Sequence, residues 1–188
     1  MEKKKISLSF DLEQVCNDIL AKCNLVSMSI RDVALEDIKA NVQEPDNPET
    51  RSIICRAVTE AFGKVKVASQ RYLTVGRTTD NNTLERLVSG VTYVKDSSGK
   101  DTDEVDKLIY EKVSMTLEIP NFNTAVTDHL KSMIHKFVVD YVMGRFLQDQ
   151  VSDKAKEYKE LADGEDYANI ISDLNARERF TMRKPSWT

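Results

Sequence analysis

The feature that most constrains this chain is a long apolar stripe between residues 123 and 149. Apolar side chains recur there at spacings of three and four residues, which is the period of one helix face. They are Val126, Leu130, Met133, Ile134, Phe137, Val138, Tyr141, Val142 and Phe146, and Val139, Met143 and Leu147 widen the stripe. The pattern predicts a helix of about 26 residues, roughly 40 Å long. Such a wide stripe is typical of a central helix packed on several sides, or of a subunit interface.

Three further segments have helical patterns. The first follows Asp11, which together with Gln14 resembles a capping box. The second begins at Pro48, a residue suited to the first helical position, and runs to about Tyr72. The third follows a polar break at residues 152–153 and has apolar residues at helical spacing.

One strand is predicted from the alternation of apolar and polar residues. Val113, Met115, Leu117 and Ile119 alternate with polar residues before Pro120, as in a half-buried strand. The segment that begins at Gly90 also has a strand pattern, and a polar loop follows it. The simplest arrangement is a β-hairpin over residues 91–119 with its tip near Gly99.

These elements predict a mainly α (α+β) fold over residues 1–188, which form a single domain. It is a helical bundle of four to five helices with an inserted β-hairpin and an extended C-terminal tail. Residues 1–8 are predicted to be an N-terminal arm, and residues 177–188 a basic tail. Residues 25–42 leave two alternatives open, a short strand near residues 27–30 or a second helix.

Composition and charge argue against several classes of protein. The chain has 27 Lys and Arg residues and 31 Asp and Glu residues, a net charge of −4. A general nucleic-acid binder normally has a basic face instead. The most apolar segment, Met133 to Leu147, is interrupted by charged residues, so no membrane helix is predicted. Cys16 and Cys23 lie too far apart along one helix for a disulfide, which predicts reduced packing residues and a cytosolic setting.

No catalytic, cofactor-binding or metal site is predicted, and we expect no enzyme activity. His129 and His135 are six residues apart, about 240° around a helix, and do not share a face. The acidic loop near the hairpin tip lacks the glycine and glutamate of an EF-hand. The acids Asp163, Glu165 and Asp166 read as a solvated helix surface. A cysteine–histidine nucleophile pair stays open, because such residues meet only in the folded chain.

The order of elements carries a resemblance to a known group of proteins. The residues that carry it are Phe10 to Cys23, the helix begun by Pro48, Val113 to Pro120, the long apolar helix, and a tail with Tyr158, Tyr167, Ala168, Ile170, Ile171, Leu174, Asn175, Ala176, Arg177, Arg183, Lys184 and Pro185. This order resembles that of small structural proteins encoded in the virion-assembly modules of phages and prophages of Bacteroides-type gut bacteria, including crAss-like phages.

The resemblance implies a head–tail connector or neck ring subunit that joins portal and tail of a tailed phage. It implies a virion location after assembly in the host bacterial cytoplasm, and no cofactor. The implied partners are further copies in a homo-oligomeric ring and neighbouring portal or tail proteins. Contact with DNA would not be base-specific. The alternative is a cytoplasmic helical adaptor or regulatory protein of a bacterium or mobile element.

The candidate interface combines the second half of the long helix with the basic tail. Its residues are Phe137, Tyr141, Phe146, Arg177, Arg179, Arg183 and Lys184. The helix residues fit a core as well as an interface, because both uses need the same apolar side chains. The tail fits three situations: a solvated or locally docked segment, contact with an acidic partner surface, or contact with nucleic-acid phosphates.

Overall fold

The computed structural model of the protein describes residues 3–30, 39, 42, 48–73, 94–95, 101–102 and 112–177. Its elements in chain order are β1 (Lys3–Asp11), α1 (Leu12–Ser29), α2 (Pro48–Ala68), β2 (Val94–Lys95), β3 (Asp101–Thr102), β4 (Lys112–Pro120), a 3₁₀ turn (Thr124–Val126), α3 (Thr127–Phe146), α4 (Ser152–Glu160), a π-helical turn (Leu161–Asp166) and α5 (Tyr167–Leu174). The last three form one continuous helix, the C-terminal helix, since both junctions keep helical backbone angles. The predicted fold class, mainly helical with a two-stranded β-hairpin, is confirmed.

The long central helix predicted from the apolar stripe is α3. It packs against α1, α2, α4, the π-helical turn and α5. Its buried residues include the complete run from Phe137 to Gly144, so this part of the helix is enclosed on all sides. The breadth of the stripe therefore reflects packing against several helices, as a helix apolar all round requires.

The N-terminal arm predicted over residues 1–8 is wrong for the described residues 3–8, which belong to β1. β1 pairs antiparallel with β4, with Leu8 opposite Met115 and Phe10 opposite Val113. Ile6, Leu8 and Phe10 are buried, while the residues between them face outward. The ring of Phe10 lies 5.5 Å from that of Phe62 on α2, so this face of the sheet covers the helices.

The predicted hairpin over residues 91–119 also needs correction. Its second strand is β4, but the partner of β4 is β1, which lies more than a hundred positions earlier in the chain. A short antiparallel pair, β2 with β3, occupies the hairpin position, with Val94 opposite Thr102. The predicted tip at Gly99 lies outside the described residues. β4 pairs with β1, and not with the segment next to it in the chain, because the buried face of β1 matches the buried face of β4.

The strand alternative for residues 27–30 is wrong, because α1 continues to Ser29. Asp11 caps this helix as predicted: its carboxylate accepts a hydrogen bond of 3.0 Å from the amide of Glu13. Most of the remaining ambiguous segment lies outside the described residues. None of the helices in the described segments is both long and apolar enough to span a membrane.

Gly144 lies where the backbones of α3 and α4 approach each other closely. A Cβ atom there would lie 3.2 Å from the backbone nitrogen of Lys159 and 3.4 Å from the carbonyl oxygen of Ala155. We expect Gly144→Leu to lower the free energy of unfolding by about 1–3 kcal/mol, because the larger side chain must separate the two helices. Urea unfolding followed by circular dichroism measures this loss.

The matched control is Gly63→Ala within α2, where an added Cβ meets nothing within 4 Å. Alanine is favoured over glycine in a helix by about 1 kcal/mol, so this variant should be more stable than the wild type. Equal stability of the Gly144→Leu variant and the wild type would contradict the close approach of α3 to α4.

Candidate functional site

Two carboxyl groups lie fully buried where the C-terminal helix meets α3. Asp140 is in the enclosed half of α3, and Asp166 is the last residue of the π-helical turn; both are 0% exposed. The prediction that Asp166 lies on a solvated helix surface is therefore wrong. A π turn holds one more residue per hydrogen-bonded turn than an α-helix, which changes the direction of the side chains that follow.

Each buried carboxylate has its own lysine partner. Lys22 of α1 donates from Nζ to Asp140 Oδ1. Lys136 of α3 donates from Nζ to Asp166 Oδ1 over 2.6 Å. The side chains of Lys22 and Lys136 are 31% and 41% exposed, respectively. The carboxylates are therefore shielded from solvent, whereas the lysine side chains are partly exposed to it. Together these contacts form a charged cluster that connects α1, α3 and the C-terminal helix.

The environment of the cluster shifts the pKa values of two of its members, Asp166 and Lys136. Burial raises the pKa of Asp166; the hydrogen bond from Lys136 acts in the opposite direction, and the neighbouring Asp140 raises it further. The hydrogen bond to Asp166 raises the pKa of Lys136. Both shifts favour the protonated form of the group concerned. Burial disfavours the charged form of Asp166, whereas an acidic partner favours the charged form of Lys136.

The second oxygen of each carboxylate has no hydrogen-bond partner among the described residues. These atoms are Asp140 Oδ2 and Asp166 Oδ2, both shielded from solvent. Within the described segments no group of three or more histidine, cysteine or acidic side chains is arranged to hold a metal ion. The cluster thus joins helices through two lysines that pair with two aspartates.

The two histidines join helices instead of meeting each other. His135 Nε2 lies 2.6 Å from Asp18 Oδ2 on α1. His129 Nδ1 lies 2.6 Å from Asp173 Oδ2 on α5. Their different partners follow from their angular separation on α3, as predicted.

The cysteine most enclosed by α3 is poorly suited to act as a nucleophile. Burial raises the pKa of Cys23 to about 12, which keeps its thiol protonated at neutral pH. Its Sγ lies 3.7 Å from Met143 Sδ, in the packing between α1 and α3. Cys16 is also buried, and its thiol is reduced. Since the thiolate is the reactive form, Cys23 is a packing residue.

The apolar part of the candidate interface lies inside the protein. Phe137, Tyr141 and Phe146 are 0%, 8% and 3% exposed and belong to the core. The hydroxyl of Tyr141 donates to Glu60 Oε2 on α2 over 3.1 Å. The structure therefore assigns these three residues to the core, and the prediction that they form a contact surface is wrong. Neighbouring helices cover the stripe within one chain.

The basic part of the candidate interface begins with a residue that belongs to the fold. Arg177 Nη2 donates to the hydroxyl of Tyr72 over 2.9 Å, and Nη1 donates to the carbonyl oxygen of Leu174 over the same distance. Arg177 also forms an isolated antiparallel β-bridge with Phe122. Arg179, Arg183 and Lys184 lie outside the described residues. Arg177 therefore fixes the place at which the predicted tail begins.

No protein-family model, curated protein or solved structure matches this chain. A function for the protein therefore has to be inferred from its own residues and their geometry.

Proposed function

We propose that this protein is a structural virion protein, a head–tail connector or neck ring subunit that joins portal and tail of a tailed phage. The observation that carries the proposal is the use of charged side chains between helices. Lys22, Lys136 and both histidines pair with acids on other elements. Lys64 of α2 likewise reaches Asp163 of the π-helical turn over 2.7 Å.

These pairs favour a stiff body over a flexible one. Each cross-link ties two helices at one place, and the carboxylate ends of two of them are fully buried. Side chains held in this way are available for positioning helices and much less for chemistry on a substrate. A ring needs rigid subunits, because each subunit has to keep its shape while it contacts its neighbours.

The charge distribution supports contact between copies of the chain. Residues 177–188 contain four basic residues and one acidic residue, whereas the whole chain has a net charge of −4. The rest of the chain is therefore distinctly acidic. Opposite charges favour an encounter between the tail of one copy and the body of the next, as in other charge-complementary interfaces.

The same proposal assigns partners and location. The protein assembles in the host bacterial cytoplasm, becomes part of the virion and contacts neighbouring portal or tail proteins as well as itself. Any contact with DNA is made to phosphates by the basic tail and carries no base specificity. No catalysis is required of the protein in this role.

A second candidate, a cytoplasmic helical adaptor or regulatory protein, is favoured by one observation. Leu25 and Met28 of α1 are 66% and 73% exposed. They lie three positions apart and so project from one side of the helix. An adaptor would use apolar side chains of this kind to contact a partner helix. Particle composition separates the two candidates.

The decisive experiment is quantitative mass spectrometry of phage-like particles purified from the source organism. The proposal expects this chain in the particles at a copy number matched to the portal ring. Particles that assemble without the chain would overturn the structural role and leave the adaptor role as the working interpretation.

A second test uses the tail. The triple variant Arg179→Ala, Arg183→Ala and Lys184→Ala should lose self-association, measured by sedimentation velocity at low salt. The control Lys154→Ala, Lys156→Ala and Lys159→Ala removes the same charge from α4 and should keep it. Equal behaviour of the two variants would contradict a specific role for the tail, because net charge alone would then explain the effect.

A further inference from the structure

We propose that Tyr72, Asn175 and Arg177 form a latch that couples the end of the C-terminal helix to strand β4. Tyr72 is separated from Asn175 and Arg177 by 103 and 105 positions, so the latch joins distant parts of the chain. The proposal is independent of the role in virions, because it concerns contacts within one chain.

The hydroxyl of Tyr72 is the centre of the latch. It accepts a hydrogen bond of 2.9 Å from Arg177 Nη2 and donates one of 3.2 Å to Asn175 Oδ1. The guanidinium carbon of Arg177 lies 5.6 Å from the centre of the Tyr72 ring, which is within the range of a cation–π contact. One tyrosine side chain thus holds two residues that lie just beyond α5.

Arg177 holds the end of the C-terminal helix at the same time. Its Nη1 donates to the carbonyl oxygens of Leu174 and Ala176 over 2.9 and 3.1 Å. The last carbonyl groups of a helix have no partner within the helix, and a positive charge beside them interacts favourably with the helix dipole. Because one guanidinium group serves both Tyr72 and the helix end, we expect loss of either contact to weaken the other.

The backbone around the latch connects it to the sheet. The carbonyl oxygen of Tyr72 accepts a hydrogen bond of 2.7 Å from the amide of Glu118 in β4. Arg177 forms its antiparallel bridge with Phe122, two residues beyond the end of β4. The position of the helix end and the position of β4 therefore depend on the same few contacts.

The latch lies at the surface, where local opening requires less free energy than in the core. Tyr72 and Arg177 are half-buried, and Asn175 is exposed. Segments held by polar contacts at the surface open more readily than buried helices do. Coupling between two sites is reciprocal, so a change at the helix end should loosen the bond at Glu118, and a change at Tyr72 should loosen the helix end. Residues 178–188 continue directly from Arg177, so any pull on them reaches the latch first.

The test measures amide hydrogen exchange by NMR in the wild type, Tyr72→Phe, Arg177→Ala and the control Ser172→Ala. Phenylalanine keeps the ring of Tyr72 and removes only its hydroxyl. We expect the amide of Ala176 to exchange about tenfold faster in Tyr72→Phe, since a hydrogen bond to a charged group changes an equilibrium by about that factor or more. The amide of Glu118 should exchange severalfold faster in Arg177→Ala, although that amide is bonded to Tyr72.

The control and a double variant separate coupling from general destabilisation. Ser172 is exposed on α5, so Ser172→Ala should keep wild-type exchange at both amides. Tyr72→Phe combined with Arg177→Ala should exchange no faster than Arg177→Ala alone, because both changes open the same latch. Wild-type exchange at Glu118 in Arg177→Ala, or fully additive effects in the double variant, would overturn the coupling.

A measurement on the wild type keeps the proposal testable if the variants fold poorly. In urea below the unfolding midpoint, the amides of Glu118 and Ala176 should exchange through one opening, with the same dependence on urea. The amide of Phe137, in the enclosed part of α3, should exchange only through a larger opening. Separate openings for Glu118 and Ala176, with different dependences on urea, would contradict the latch.

Discussion

Replacing Phe137 by alanine should lower the free energy of unfolding by about 3–5 kcal/mol. The ring is 0% exposed at the centre of α3. It contacts the rings of Tyr141 and Tyr167, each with a centroid separation of 5.9 Å. Alanine leaves a cavity between α3 and the C-terminal helix and removes both ring contacts. Urea unfolding monitored by circular dichroism gives the loss directly.

The control for this prediction is Lys131→Ala on the same helix, where the side chain is exposed. Surface substitutions of this kind usually change stability by less than about 0.5 kcal/mol. A Phe137→Ala variant with wild-type stability but without self-association would reverse the assignment and make Phe137 part of an interface.

Replacing Leu8 by alanine should cost about 2–5 kcal/mol of stability. Leu8 is 1% exposed and lies opposite Met115, which is equally buried. The loss reflects the removal of apolar area from the face of the sheet that covers the helices. A mobile arm at the N-terminus would instead make the substitution neutral, so the measurement separates the two interpretations.

Ser9→Ala is the matched control in the same strand. Ser9 lies opposite Ser114 and faces outward, so its substitution should leave the unfolding midpoint almost unchanged. If Leu8→Ala and Ser9→Ala had the same small effect, β1 would not contribute to the core. Because the two positions are adjacent, any general effect of changing the strand is common to both.

Local periodicity was sufficient to predict the helices and β4. The α3 stripe, the Asp11 cap and the alternation from Val113 to Ile119 can each be recognised from residues a few positions apart in the chain. The partner of β4 was not predictable in this way. Ser7 and Thr116, whose hydroxyl oxygens lie 3.4 Å apart, are separated by 109 positions. No local pattern connects two such segments, although the alternation of Ile6, Leu8 and Phe10 was a strand signal in itself.

The burial of two acidic residues escaped prediction for a different reason. Asp140 interrupts an apolar run, which is a signal, but Asp166 lies in a polar stretch that reads as surface. Its burial depends on the π-helical turn. Because such a turn holds one extra residue, it breaks the regular spacing of apolar residues by which a buried helix face is recognised. The choice between core and interface for Phe137 was equally open, because the decision belongs to the neighbouring helices.

The pairing of β1 with β4 has a consequence during synthesis of the chain. A ribosome adds about 5–20 residues per second, so roughly 5–20 s pass between synthesis of the two strands. During that interval Ile6, Leu8 and Phe10 have no β-partner to cover them. Lys3, Lys4 and Lys5 stand directly before them, and charges that flank an apolar strand discourage its association with other nascent chains. We therefore expect the three lysines to reduce association of nascent chains while β1 has been synthesised and β4 has not.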